Sequence, residues 1–188
     1  DYTYGKKDIA NMQTLPIHAA ERFDVIEVEE LASHFSKVAT TRIKELVYQG
    51  DMEQANRDLG YIYEIYGTVI HGEKVGRTLG YPTANIKVPH PQLLPGIGVY
   101  AVEIKIGDTW HLGSASIGHN ITFYDNHDLT CEVYILDFDQ MIYGEKVRVR
   151  WHHYLRGEYK FNSVDELIDQ LKIDEDNTRL YFENLGGG

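Results

Sequence analysis

Residues 67–86, GTVIHGEKVGRTLGYPTANI, concentrate the side chains best suited to phosphate chemistry. Gly72, Gly76 and Gly80 recur at every fourth position. Such a loop can adopt positive φ and bring backbone N–H groups close to an anion. Lys74 and Arg77 lie between these glycines, so two cationic side chains ride on the same flexible backbone. Pro82 then fixes φ, and Thr83-Ala84-Asn85-Ile86 reads as the start of a strand. Positions i and i+2 of a strand share a face, which presents the Thr83 hydroxyl and the Asn85 amide oxygen together. Neutral oxygens combined with phosphate oxygens form a ligand set that Mg²⁺ accepts. The same glycine spacing also describes a plain turn between strands, and it is neither a G-x-x-x-x-G-K-[ST] loop nor a G-x-G-x-x-G fingerprint.

A proton acceptor for a hydroxyl is the second requirement of phosphoryl transfer. In Cys131-Glu132-Val133-Tyr134-Ile135 the alternation puts Glu132 and Tyr134 on one face and the apolar residues on the other. Glu132 is either a solvent-facing strand residue or a general base. Arg156 offers a guanidinium that suits phosphate bidentately, or an ion pair with Glu158 or a helix end. His152 and His153 are adjacent on an expected strand, should face opposite sides, and so should not share a metal.

Elements to carry these groups are legible from residue 40 onward. Thr40–Gly50 reads as a capped helix, and Asp51 with Gln54 as a capping box opening a second helix that ends near Gly60. Six strands are expected at Glu64–His71, Ala84–Val88, Val99–Ile106, Thr109–Ile117, Thr130–Leu136 and Lys146–Tyr154. Gly107-Asp108 is a hairpin turn in the reverse of the favoured Asp-Gly order. Short strands with glycine corners predict a mainly β fold closed into a six-stranded barrel, because closure removes exposed edges. Ser163 and Glu166 form a capping box for a helix to about Lys172, followed by a break near Asp174 and more helix over Thr178–Asn184. Phe161 sits where a staple residue precedes that cap. Ahead of all this, Phe23–Val28 alternates enough for a short strand.

The 188 residues, 43% hydrophobic and 25% charged, have the balance of a folded globular chain. Eighteen basic against twenty-nine acidic residues leave a net charge of −11, which argues against nucleic-acid binding. No apolar run approaches membrane-spanning length, and a single cysteine, Cys131, excludes an internal disulfide, so a cytoplasmic protein without membrane partners is expected. Composition and spacing leave the oligomeric state undefined.

The stretch from Gly67 to Asn85 resembles, without a gap, the riboflavin kinase signature G-x-V-x-x-G-x-x-x-G-R-x-L-G-[FY]-P-T-A-N. In bacteria that module usually forms the C-terminal half of a bifunctional riboflavin kinase/FMN adenylyltransferase. The resemblance implies a riboflavin kinase-like barrel with C-terminal helices at residues 61–185, converting riboflavin and ATP to FMN and ADP with Mg²⁺. It implies ATP binding by Gly72, Lys74, Gly76, Arg77, Gly80, Pro82 and Thr83, with Thr83 and Asn85 on the metal. Glu132 aligns with the family's proposed base, and Arg156, Asn120, Thr122 and Phe161 become flavin-binding candidates. Asn120-Ile121-Thr122-Phe123 departs from the family's [RN]-P-T-F turn, and Asp137-Phe138-Asp139 with Tyr143-Gly144 matches a structural turn.

Residues 1–60 then resemble a remnant of an α/β nucleotidyltransferase domain plus a linker helix. Asp1–Lys6 is similar to an internal D-F-x-F-G-K segment. Residues 37–44, with Thr40, Thr41 and Arg42, resemble the K-I-S-S-T-R-I-R nucleotide segment. The adenylyltransferase H-x-G-H motif does not occur in the 188 residues, so FMN adenylylation is expected only of a longer parent. The alternative from another class is a non-catalytic flavin- or nucleotide-binding module.

Overall fold

The computed structural model describes residues 11, 13–20, 22–26, 32–33, 36–37, 40–72, 80–119 and 129–186. The chain divides into two compact units, Asp1–Lys37 and Val38–Gly188. The first contains a short helix α1 (Leu15–Ala19) opened by Pro16, and a two-residue antiparallel pair, β1 (Ala32–Ser33) with β2 (Ser36–Lys37). The strand expected at Phe23–Val28 is not formed over residues 23–26, which are bend and irregular backbone, and residues 27–28 lie outside the described ones.

In the second unit, α2 (Thr40–Gln49) and α3 (Met52–Leu59) precede six strands. These are β3 (Glu64–Ile70), β4 (Thr83–Lys87), β5 (Gly98–Ile106), β6 (Thr109–His119), β7 (Leu129–Ile135) and β8 (Lys146–Arg156). They close in the order β3-β4-β7-β6-β5-β8, every pair antiparallel. Strict alternation fills the interior: Tyr100, Val102 and Ile104 from β5 meet Val133 from β7 and Val149 and Trp151 from β8, all fully buried. The β5–β6 hairpin turns in two residues, with Gly107 at φ 57°. A turn with positive φ at its first central position needs glycine there, which accounts for the reversed Gly-Asp order.

Helix α2 ends at Gly50, whose φ of 81° lets the Gly50 and Asp51 amides bond back to Val47 and Leu46. Asp51 then caps α3 by accepting from the Gln54 amide at 3.1 Å. Leu46, Val47, Met52 and Ala55 join the same hydrophobic cluster as the barrel interior. Both helices fall within the Val38–Gly188 unit.

The last element, α4 (Val164–Gly186), is one uninterrupted helix, capped by the Ser163 hydroxyl accepting from the Glu166 amide at 3.2 Å. The expected break at Asp174 does not occur. Asp174 is a buried carboxylate whose oxygens accept from Arg156 and Gln170, and its carbonyl accepts from the Thr178 hydroxyl. A satisfied buried carboxylate has no reason to interrupt a helix.

Strand β8 carries two bulges against β5, because Val102 pairs with Trp151 but Ala101 with His153, and Tyr100 pairs with Tyr154 but Val99 with Arg156. The extra residue breaks the alternation. His152 and His153 therefore lie on the same outer side, contrary to the expectation, with ring centroids 4.9 Å from Phe182 and from Tyr181 of α4 respectively. His152 contacts Glu103 through Nε2 at 2.9 Å, and His153 contacts Glu53 through Nδ1 at 3.1 Å.

Burial lowers the His152 pKa below the ordinary histidine range, and the Glu103 carboxylate opposes this only in part. The neutral ring is thus favoured in the folded state, so its stabilising contribution is present above the unfolded pKa of about 6.5 and is lost as pH falls below it. Thermal unfolding followed from about pH 7 to about pH 5 should show a falling midpoint, and His152→Gln should flatten that fall. An identical slope in both proteins would remove His152 from the acid sensitivity.

Candidate active site

Strand β4 alternates as the sequence requires: Ala84 and Ile86 enter the core, while Thr83 and Asn85 face outward. Its register against β7 pairs Thr83 with Tyr134 and Asn85 with Glu132. Directly paired residues share a face, so the two outward pairs predicted separately become one constellation. The Thr83 hydroxyl donates to Glu132 Oε2 at 3.1 Å. That bond spends the hydroxyl hydrogen and leaves the oxygen lone pairs for another ligand. Just after β3, Gly72 lies against the Asn85 side chain so closely that a Cβ there would collide with the Asn85 amide.

Beside this constellation is a cleft of about 220 Å³, lined by Gly72, Pro82, Thr83 and Asn85 on one side and by residues 138–143 on the other. Residues 138–143, expected only as part of a structural turn, form one wall of the cleft. The wall is held by the Gly144 amide bonding to the Val69 carbonyl at 2.9 Å and by the Tyr143 ring stacked on His71 at 3.9 Å. Gly144, at φ 83°, is the residue whose type marked a constrained turn there.

The entrance to β4 is braced from α4. Tyr81 packs edge-on against Tyr134 with centroids 5.1 Å apart, and the Tyr134 hydroxyl reaches Glu175 at 3.4 Å. Burial, reinforced by the Glu175 charge, pushes the Tyr134 phenol up to about 12. Arg179 bridges Glu175 at 2.7 Å and both oxygens of Asp137 at 2.9 Å, and it holds the Asp137 carboxyl below its usual range. Asp137, two residues beyond β7, has φ 54°. One helix thereby fixes both segments that flank the cleft.

Of the other predicted residues, Gly80 (φ 85°) and Pro82 stand at the start of β4. Lys74, Gly76, Arg77, Asn120 and Thr122 lie outside the described residues. Arg156, offered for phosphate or flavin, spends Nε and Nη2 on Asp174 at 2.8 and 2.6 Å, so its ion-pair partner is neither Glu158 nor a helix end. Phe161 is half-buried ahead of the Ser163 cap. Thr40 and Thr41 are exposed at the start of α2, and Arg42 binds Asp58 of α3 at 2.7 Å. Among the described residues no group of three or more His, Cys, Asp or Glu is placed to hold a metal ion. The oxygens gathered at β4–β7 are two neutral ones and one carboxylate, a set that fits Mg²⁺ when phosphate and water complete its shell.

Residues 59–182 match the family model described as Flavokinase: Riboflavin kinase. The chain belongs to the riboflavin kinase family. It is 48% identical over 185 residues to the bifunctional riboflavin kinase/FMN adenylyltransferase of Listeria monocytogenes, covering 98% of this chain and 59% of that protein. It is 37% identical over 187 residues to the protein of the same name from Bacillus subtilis, again covering 98% and 59%. A solved structure from Streptococcus pneumoniae, described as a macrolide-efflux protein, superposes with a TM-score of 0.86 at 40% identity, covering 95% of this chain and 58% of that one. The chain thus spans about three-fifths of the length of these relatives. No described helix is long and apolar enough to cross a membrane.

Because Gly72 makes room for the Asn85 amide, Gly72→Ala should displace that amide and weaken Mg²⁺-dependent ATP binding measured by calorimetry. Unaltered affinity in Gly72→Ala would show that the close approach has no bearing on nucleotide binding.

Proposed function

We propose that this chain transfers the γ-phosphoryl group of ATP to the 5′-hydroxyl of riboflavin, giving FMN and ADP. The observation that carries this reading is the convergence of Thr83, Asn85 and Glu132 across the β4–β7 pair beside an open cleft. Membership of the riboflavin kinase family supplies the substrate class.

Thr83 Oγ1 and Asn85 Oδ1 are the side-chain oxygens that would hold Mg²⁺ with the ATP phosphates. The ion, when bound, neutralises charge on the transferring group. Glu132 does two things with its two oxygens. Oε2 accepts the Thr83 hydrogen and so turns that hydroxyl's lone pairs toward the metal position. Oε1, without a partner among the described residues, takes the proton of the 5′-hydroxyl as that oxygen bonds to the γ-phosphorus. The bond from the γ-phosphorus to the bridging oxygen breaks, and ADP leaves with its electron pair. Lys74 and Arg77 are the cations proposed to neutralise the phosphates, and Asn120, Thr122 and Phe161 are the residues proposed to bind the flavin.

The wall opposite Thr83 is built mainly from apolar side chains, Phe138, Met141 and Ile142, with Asp139 and Gln140 between them. Such a wall suits a planar base next to a polar phosphate end. Incubating the protein with riboflavin and Mg-ATP should yield FMN, resolved by chromatography. Glu132→Gln should lower kcat by roughly 10²–10⁴-fold while ATP still binds. Thr83→Ala should weaken Mg-ATP binding. Absence of FMN at high protein concentration would favour a binding module, and unchanged turnover in Glu132→Gln would remove the base.

A further inference from the structure

Glu158 has a position that none of the roles above uses. The segment holding it is fastened on both sides to one guanidinium: Arg156 Nη1 donates to the Gly157 carbonyl at 2.9 Å, and the Tyr159 ring lies 5.0 Å from the Arg156 guanidinium carbon. That guanidinium is itself locked on the buried Asp174 carboxylate at 2.6 Å. Glu158, between the two fastened residues, is therefore held in place although its side chain is exposed. Its carboxylate rests on the bare backbone of Gly118, where any Cβ would collide with Oε1. Among the described residues Glu158 makes no hydrogen bond or ion pair.

Gly118 lies on the outer face of β6, two residues beyond Ser116, and Ser116 pairs directly with Glu132. Gly118 is consequently a diagonal neighbour of Glu132, at a backbone separation of about 7–8 Å. The two carboxylates stand over the same outer face of the β6–β7 pair, with Ser116 between them and the Thr130 hydroxyl tied to the Gly118 carbonyl at 3.2 Å. An ionised carboxylate only accepts hydrogen bonds, so whatever binds Glu158 must bring donors. Adjacent hydroxyls of a polyol offer two donors to its two oxygens.

We infer that Glu158 is a specificity-determining residue that accepts hydrogen bonds from the secondary hydroxyls of a flavin's polyol chain while the chain's terminal alcohol reaches Glu132. The inference rests on the riboflavin kinase reading above. It also gives Arg156 a positioning role, fixing Glu158 through Gly157 and Tyr159.

The test compares riboflavin with a flavin whose side chain is a plain hydroxypentyl group, which keeps the terminal alcohol and lacks the secondary hydroxyls. Binding is read from flavin fluorescence in the presence of Mg-ADP, and turnover from chromatography. The wild-type protein should prefer riboflavin in affinity by roughly 10- to 100-fold, the size expected of hydrogen bonds to a charged group. Glu158→Ala should bring that preference close to unity through loss of riboflavin affinity alone, with KM for ATP and the thermal midpoint unchanged. Glu158→Gln, which keeps one acceptor oxygen, should fall between them. Arg156→Met should reduce the preference in the same direction. A Glu158→Ala protein that retains the wild-type preference, or loses affinity for both flavins alike, overturns the inference. A wild-type protein that shows the polyol preference without forming FMN would leave the Glu158 assignment standing and overturn the kinase reading instead.

Discussion

The register of β4 against β7 is the constraint on which the site depends. Asn85 opposite Glu132 and Thr83 opposite Tyr134 put two neutral oxygens and a carboxylate on one outward face, while Ala84, Cys131 and Val133 fill the barrel behind them. A slip of one residue would exchange the faces, burying the polar set and exposing the apolar one. Closure of the sheet resists such a slip, because β4 is also bonded to β3 and β7 to β6, and each has its own apolar face in the same core. The hydrophobic alternation that stabilises the barrel is thus what fixes the chemistry on its outside.

Helix α4 adds the second level of order. It reaches the cleft through Glu175 to Tyr134 and through Arg179 to Asp137, and it reaches the other end of the outer face through Asp174 to Arg156. The exposed members of these contacts contribute little to stability by themselves. Their effect is geometric: they hold the start of β4, the end of β7 and the segment after β8 relative to one another. The β8 bulges serve the same packing, since the extra residues turn His152, His153 and Arg156 toward α4.

Much of this was legible in the amino-acid sequence, for identifiable reasons. Period-two alternation with glycine punctuation marks all six barrel strands, and Gly50, Asp51 and Ser163 mark helix ends by their capping chemistry. Thr83 with Asn85, and Glu132 with Tyr134, could each be paired by strand parity. Their meeting could not, because cross-strand register depends on contacts far apart in the chain. Local periodicity also misled where tertiary structure overrides it. The bulge at His152 breaks parity, the buried Asp174 looks like a helix breaker only until Arg156 satisfies it, and Arg156 itself looks available until Asp174 claims it. The wall at residues 138–143 carries no periodic signal at all, and Glu158 acquires significance only from the bare Gly118 beneath it.

If the cross-strand unit performs phosphoryl transfer, Thr83 and Glu132 must act together. A double-mutant cycle on FMN formation from riboflavin and Mg-ATP, using Thr83→Ala, Glu132→Gln and the combined variant, tests this most directly. The account predicts that the two losses are less than multiplicative, because each single variant already breaks the shared Thr83–Glu132 bond, with a coupling of roughly 0.5–3 kcal/mol. Losses that simply multiply, or a wild-type chain that forms no FMN, would contradict it.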